Sequence, residues 1–546
     1  MLEELKHPNF SPLALDILRD RYLWRDAEGN ITETPQEMLI RVAKHVASAE
    51  KPEGRTYWTS KYYAIMADLD FLPNSPTLMN AGRAYPHGQL AACFVVGIED
   101  TMESICGALR KQMLIHKTGG GTGFNFSKLR PKNSTVKSTN GRASGPVSFM
   151  RLFDLSTEVI QQGGMRRGAN MAILNCDHPD IEEFISCKDE EGKITNFNLS
   201  VGLTDEFMNR AIANPIASDE AHLLYKIAEH AWRSGDPGVV FLDVINHDNP
   251  CPQLGKIEAT NPCGESPLLP GEACNLGSVN LAHMVKGGGV DWGKLADTVE
   301  TAVRFLDDVI DVSQYPLPEI EEAVKKTRKI GLGVMGWADM LYQLRIPYDS
   351  DEAEALADDV MTYISDAAWT ASQRLALEKG SCPALRGMEQ DREWRNATVT
   401  CIAPTGTLSL LADCSSSIEP IFANYHTRRV TLGDGTVVEK EIFNPHYEAL
   451  VADPTLTTEQ IDDIAKTAYQ INWEWHIAHQ TAFQLHTDLA VSKTINMPHD
   501  ATVADVVAAY VAAWIQGCKG TTIYRDGSRS SQVLTEAPVR CKECEI

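Results

Sequence analysis

From about Phe71 onward the chain alternates short apolar runs with helical stretches, and this alternation limits the fold more than any other feature of the sequence. Residues 147–162 have helical spacing, 170–174 read as a strand, 180–187 as a helix and 197–203 as a strand. The texture returns with strand-like runs at 398–403, 492–497 and 521–524 and a helix over 503–516. Strands separated by helices predict parallel pairing with crossover connections, an α/β fold. Ahead of this region, residues 11–50 and 58–67 read as mainly helical, with Leu15, Leu18, Leu39, Val42 and Val46 at helical spacing. Beyond Asp526 the run GSRSSQVLTEAPVR is polar and aperiodic, the mark of a flexible tail. The expected divisions are a helical segment at 1–70, the α/β domain at 71–527 and a tail at 528–546.

With 546 residues, 43% of them apolar, the chain can bury a large core. No run approaches the roughly 18 to 20 apolar residues of a membrane helix, and MLEELKHPNF lacks the pattern of a secretory signal. A cytoplasmic protein without a membrane partner is therefore expected. A formal charge of −24 disfavours nucleic acid as a partner, although small phosphates can still be held locally by backbone N–H groups. Thirteen cysteines, an odd number in a chain of this character, do not suit a framework of structural disulfides, which leaves some of them for chemistry.

The most informative segment is Asn261-Pro262-Cys263-Gly264-Glu265, with Cys274 eleven residues beyond Cys263. Pro and Gly around a cysteine make a tight loop tip. Alone this would be a turn with a buried thiol, but an amide and a carboxylate two residues to either side add a donor, an acceptor and a base beside one sulfur. Cys93, in LAACFVV, reads in isolation as a core cysteine. The segment Pro404-Thr405-Gly406-Thr407-Leu408 follows a strand-like run and opens a helix, which suits either an ordinary cap or a phosphate cradle.

Three other motifs have weaker claims. Gly119–Gly123 lacks the Gly-Lys-Ser/Thr of a nucleotide-binding P-loop, so close approach of backbone to a ligand is the better account. Gly331-Leu-Gly333-Val-Met-Gly336 matches a dinucleotide fingerprint but follows the charged helical run EEAVKKTRK, so a tight turn between strand and helix is expected there. Cys541 and Cys544 form a C-x-x-C with no second pair to complete a zinc site, and a mobile dithiol is favoured. No metal-ligand set is expected.

The loop NPCGE closely resembles the finger loop of ribonucleotide reductases. The resemblance extends in order through FLPNSPTLMNAG (71–82), LAACFV (90–95), KTGGGTGFNFSKLRP (117–131), GGMRRGANMAIL (163–174), CIAPTGTLSLL (401–411) and KGTTIYRDGSR (519–529). It implies a ten-stranded α/β barrel of two five-stranded halves, with the finger loop through its centre. It also implies that Cys263 is the thiyl-radical cysteine, Glu265 the base for the 3′-hydroxyl and Asn261 an amide bonded to substrate hydroxyls. Cys93 and Cys274 match the reducing dithiol, and Cys541 and Cys544 the tail relay. Ser75, Thr77, Ala92, Cys93, Gly121, the loop residues Asn261, Pro262, Cys263, Gly264 and Glu265, and the run Pro404, Thr405, Gly406, Thr407 and Leu408 match substrate contacts. Asp100, Arg130, Arg166 and Arg167 match a site for dNTP effectors near a dimer interface. Cys106, Cys176, Cys187, Cys251, Cys382, Cys401, Cys414 and Cys518 match no catalytic position and are expected to be structural.

Family members differ in their radical source. The tyrosine pair of oxygen-dependent large subunits is absent, since the matching place reads Thr521-Thr522-Ile523-Tyr524, and a cysteine tail replaces the segment that carries the glycine of the glycyl-radical form. The resemblance therefore points to adenosylcobalamin, without a histidine ligand to cobalt because no D-x-H-x-x-G element is present. It further implies ribonucleotide substrates, diphosphates ahead of triphosphates, thioredoxin or glutaredoxin as reductant, and a homodimer. The segment resembling the family's helical entry begins near the start, so an N-terminal ATP cone and on–off control by ATP or dATP are not expected. The rival readings are an oxygen-dependent large subunit with a separate radical protein, and a silent nucleotide-binding regulator.

Overall fold

The computed structural model describes residues 6–83, 88–137, 140–160, 168–190, 192–386, 393–431 and 437–528. The ten strands of its main sheet are β1 (Phe71–Pro73), β2 (Cys93–Val95), β3 (Gly121–Asn125), β4 (Asn170–Asn175), β5 (Phe197–Leu203), β6 (Gly238–Phe241), β7 (Ala273–Asn280), β8 (Ile330–Met335), β9 (Thr494–Met497) and β10 (Gly520–Arg525). Strands β2, β3, β4, β5 and β6 pair in parallel in that order. β7 pairs in parallel with β8, and β9 with β10. Parallel bridges from Leu332 to Thr400 and from Ile402 to Val491 carry the sheet from β8 across to the β9 segment. The two parallel halves meet antiparallel at both seams, β7 against β2 and β10 against β6, so the sheet closes on itself as a barrel.

The strands are buried on both faces, as parallel sheets under crossover helices must be. They are unusually poor in bulk where they face the barrel axis. An added Cβ at Gly123 would lie 1.7 Å from Thr260 O, and one at Gly333 2.3 Å from Cys401 O, so neighbouring backbone occupies the space a side chain would need.

The N-terminal part is helical, but in pieces: α1 (Pro12–Ile17), a π-helical turn at Leu18–Tyr22, α2 (Pro35–Val46) and α3 (Arg55–Ala67). The mainly helical reading of 11–50 holds, with a break where residues 23–34 turn back through an Arg25–Ile31 bridge. α2 then starts on a reciprocal cap, with the Thr34 hydroxyl accepting from Glu37 N and the Glu37 carboxylate accepting from Thr34 N. Its Met38, Leu39, Val42, Ala43 and Val46 are buried against the rest of the core. One correction concerns Gly331–Gly336. Residues 331–335 form most of strand β8 rather than a turn, and Gly336, at φ +77, opens the next helix.

Outside the barrel, α4 (Met102–Lys117) packs on α5 (Pro146–Val159), and α6 (Trp292–Val312) packs on α7 (Pro318–Thr327) and on the long α8 (Asp351–Lys379). A buried ionic network fastens the helical part to these barrel helices. Glu50 accepts from Arg304 at 2.6 Å and from Lys379 at 2.8 Å, and Tyr62 donates to Asp308, which also meets Lys379. Beside it Asp307, fully buried, binds Arg328 at 2.8 Å and Arg395 at 3.0 Å and accepts from the Asn396 amide. Burial opposes ionisation of Asp307, yet the two guanidiniums hold its carboxyl below the usual range. Asp307→Ala leaves two largely buried guanidiniums short of a counter-charge and is expected to cost about 3–5 kcal/mol, read as a lower urea midpoint at unchanged slope.

Candidate active site

The loop from Asn261 to Ser266 is held at both ends by its own backbone. Asn261 N donates to Ser266 O at 3.2 Å, Ser266 N to Asn261 Oδ1 at 2.9 Å, and Gly264 N to Asn261 O at 3.1 Å, with Gly264 at φ +85. Neighbouring strands clamp it further. Asn198 on β5 donates to Pro262 O at 2.7 Å, and both Ala490 N (2.9 Å) and the Cys401 thiol (3.2 Å) donate to Glu265 O. β3 lies so close that a Cβ at Gly121 would sit 2.8 Å from Pro262 Cγ.

This loop separates two cavities. The first, about 380 Å³, is lined by Asn261, Pro262, Cys263 and Glu265 of the loop, by Ala92, Cys93 and Gly121 of the sheet and its edge, by Ser75 at the start of a helix, and by Pro404–Leu408. The second, about 610 Å³, is lined by Pro262, Cys263 and Gly264, by Gly238–Val240 on β6, by Ser492–Thr494 and by Lys519–Tyr524. Cys263 is exposed, and it borders both.

Within the first cavity Asn261 Nδ2 donates to Cys93 Sγ at 3.0 Å, and Cys93 Sγ lies 3.9 Å from Glu265 Oε1. Cys274 stands directly across from Cys93 in the β7–β2 register, a placement that lets two sulfurs bond. Burial pushes the Cys93 thiol well above its ordinary value, with Glu265 adding to the effect, and burial does the same to Cys274 and Cys401. These sulfurs therefore carry protons at neutral pH and can donate them.

The structure thus gathers Cys93, Ala92, Gly121, Ser75, Asn261, Pro262, Cys263, Glu265 and Pro404–Leu408 around one space. Gly264 faces the second cavity instead. Thr77 stands behind the wall, its hydroxyl engaged with Asn74 Oδ1 and Leu90 O, each at 3.1 Å. Asp100 and Arg130 are joined by a 2.6 Å ion pair at the surface, beside the start of α4. Arg166, Arg167, Cys541 and Cys544 lie outside the described residues.

Three contributors were not identified from the sequence. Arg21 and Tyr22 reach the first cavity from the π-helical turn, where Tyr22 meets Ser75 Oγ at 2.8 Å, and nothing in the local pattern marks them. Cys401, expected to be structural, clusters with Cys93 and Cys274 and holds the loop carbonyl. The exposure pattern predicts that N-ethylmaleimide labels Cys263 and Cys106 in the native protein, whereas Cys274 and Cys401 label only after unfolding, as peptide mapping can show.

Comparison with known proteins identifies the family. The family model "Ribonucleotide reductase, barrel domain" matches residues 91–220, 217–394 and 384–524, and "Ribonucleotide reductase, all-alpha domain" matches 8–86. The vitamin B12-dependent ribonucleoside-diphosphate reductase of Thermoplasma acidophilum is 43% identical over 97% of this chain and 81% of its own. That of Mycobacterium tuberculosis is 46% identical over 98% and 82%. Among solved structures, the Actinobacillus ureae class Id ribonucleotide reductase alpha subunit superposes with a TM-score of 0.78 over 96% of this chain and 99% of its own, at 23% identity, a likeness of fold. With two family models spanning nearly all of it and a barrel built around NPCGE, this chain belongs to the ribonucleotide reductase family.

Proposed function

We propose that the chain is an adenosylcobalamin-dependent reductase of ribonucleoside diphosphates, with the nucleotide in the first cavity and the cofactor in the second. The observation that carries this reading is Cys263, one sulfur bordering both spaces. The second cavity suits the adenosyl part of the cofactor: the backbone of Gly238 and Gly520 lies in its wall, Met171, Phe422 and Tyr524 give it apolar and aromatic surface, and Glu419, Lys493 and Lys519 add polar groups. Adenosylcobalamin, when bound, supplies an organic radical by homolysis of its cobalt–carbon bond.

The chain's own groups account for the rest. As a thiyl radical, Cys263 takes the 3′-hydrogen of the ribose. Glu265 accepts the 3′-hydroxyl proton, while Asn261, fixed through Ser266 N, orients hydroxyls. Cys93, protonated and facing the cavity, delivers a proton to the departing 2′-hydroxyl, and the Cys93–Cys274 pair supplies two electrons as it closes to a disulfide. Residues 404–408 and Arg21, the sole cation among the described lining residues, are placed to receive phosphate. Cys541 and Cys544 relay electrons from thioredoxin or glutaredoxin. A Cys263→Ser variant is expected to keep its fold and lose all deoxynucleotide formation with adenosylcobalamin and a dithiol present; product above background would refute the assignment.

Effector control is proposed at Asp100 and Arg130, with Arg166 and Arg167. The adjoining helices α4 and α5 expose Met102, Met113, Leu152, Leu155 and Val159, an apolar face suited to a homodimer. Coupling of about 1–3 kcal/mol predicts a several-fold or larger change in base preference with each dNTP. That change should be blunted in Asp100→Ala, as competition assays with all four bases would read.

A further inference from the structure

The two sulfurs of the proposed dithiol have different surroundings. Cys93 lines the substrate cavity, whereas Cys274, with no exposed surface, sits one strand behind it. The charged group acting on Cys93 is the Glu265 carboxylate, joined by the sulfurs of Cys274, Cys401 and Cys263. Cys274 instead feels an ammonium, that of Lys329, together with Glu272 and Glu265.

The placement follows from the sheet. β7 and β8 pair in parallel with Asn275 opposite Ile330, so Lys329 stands beside Cys274, whose thiol approaches Lys329 O at 3.6 Å. Glu272, two residues before Cys274, accepts from Lys329 Nζ at 2.7 Å. Both side chains of this ion pair are buried, 1% and 3% exposed. A buried pair of this kind adds little net stability over apolar residues of the same size. Glu272 Oε2 also accepts from Leu269 N at 2.7 Å, while Oε1 has no hydrogen-bond partner among the described residues. Glu272 lines a third cavity, about 530 Å³, between Lys128, Gly255, Glu319 and Lys326. An ordered line therefore runs from that cavity through Glu272 and Lys329 to Cys274.

We infer that the Lys329–Glu272 pair sets the direction of re-reduction: the incoming thiolate attacks Cys93, and Cys274 leaves beside the Lys329 ammonium. This rests on the reading of Cys93 and Cys274 as the redox dithiol. A bond forms between the reductant sulfur and Cys93 Sγ, the Cys93–Cys274 bond breaks, and its electron pair goes to Cys274 Sγ. Lys329 gives that thiolate a proton and regains one from the third cavity through Glu272. A second reductant thiolate then attacks the reductant sulfur of the mixed disulfide and releases Cys93 as a thiolate, which takes a proton from the substrate cavity. The sum is two thiolates and two protons in, one external disulfide and two protein thiols out. Lys329 and Glu272 are positioning residues here, acting through Cys274.

The test uses the full chain with adenosylcobalamin and substrate, run without external reductant until the dithiol is oxidised. Glutathione is then added, the mixture is acid-quenched and alkylated with N-ethylmaleimide, and the peptides are mapped. The expected result is glutathione on Cys93 and the alkyl group on Cys274. Lys329→Arg should keep that preference. Lys329→Met combined with Glu272→Leu, which removes both charges, should slow re-reduction by about tenfold or more and scatter the attack between the two sulfurs. Glutathione mainly on wild-type Cys274 would overturn the inference even if a variant failed to fold, and so would wild-type kinetics in the double variant. Failure of any Cys93–Cys274 disulfide to appear after turnover would overturn the dithiol reading itself, a distinct result that removes the inference with it.

Discussion

The rest of this structure depends on one steric condition: a loop of backbone runs through the middle of a barrel, where barrels of this size are normally filled by side chains. Room for it comes from glycine. Gly121 and Gly123 on β3 let Pro262 and Thr260 approach to distances no Cβ would tolerate, and Gly331 and Gly333 on β8 do the same for Cys401. Because the loop is bonded to itself and to β5, the 490 region and Cys401, its tip has few conformations left to lose. In the proposed reaction the Cys263 sulfur must meet one carbon–hydrogen bond, and that fixity serves it.

Three thiols around the loop are kept in the protonated form by burial, and a separate network of Glu50, Asp307, Asp308, Arg304, Arg328, Lys379 and Arg395 lies among the helices that pack on the barrel. The same network ties the helical part to the barrel. That part contributes Arg21 and Tyr22 to the substrate cavity, so its docking is a condition of a complete site and not only of stability.

Much of this was legible in the sequence, for identifiable reasons. The strands at 170–175, 197–203 and 520–525 read correctly because they are short runs bounded by polar or turn residues. The finger loop read correctly because Pro and Gly flank a cysteine. β8 was misread because its glycines, which serve a contact 70 residues away in the chain, imitate a turn. The strand-like run at 398–403 joins the sheet only through isolated bridges. Thr77 and Cys401 exchanged expectations, the first standing behind the wall and the second within the sulfur cluster. Arg21 carries no local signal, since what brings it to the cavity is the packing of one helical turn on another part of the chain.

The wall between the two cavities also has a consequence for ancestry. Pro262 and Cys263 are the lining residues common to both spaces on the finger loop, while Gly238–Val240 and Lys519–Tyr524 line the second alone. On the proposed assignment of the two cavities, selection acting on how the sulfur is activated can rework β6 and β10 without disturbing the residues that line the first cavity. A barrel partitioned this way resembles a tool with an interchangeable power source: lineages facing different supplies of oxygen or cobalt could inherit one reducing chamber and refit the other.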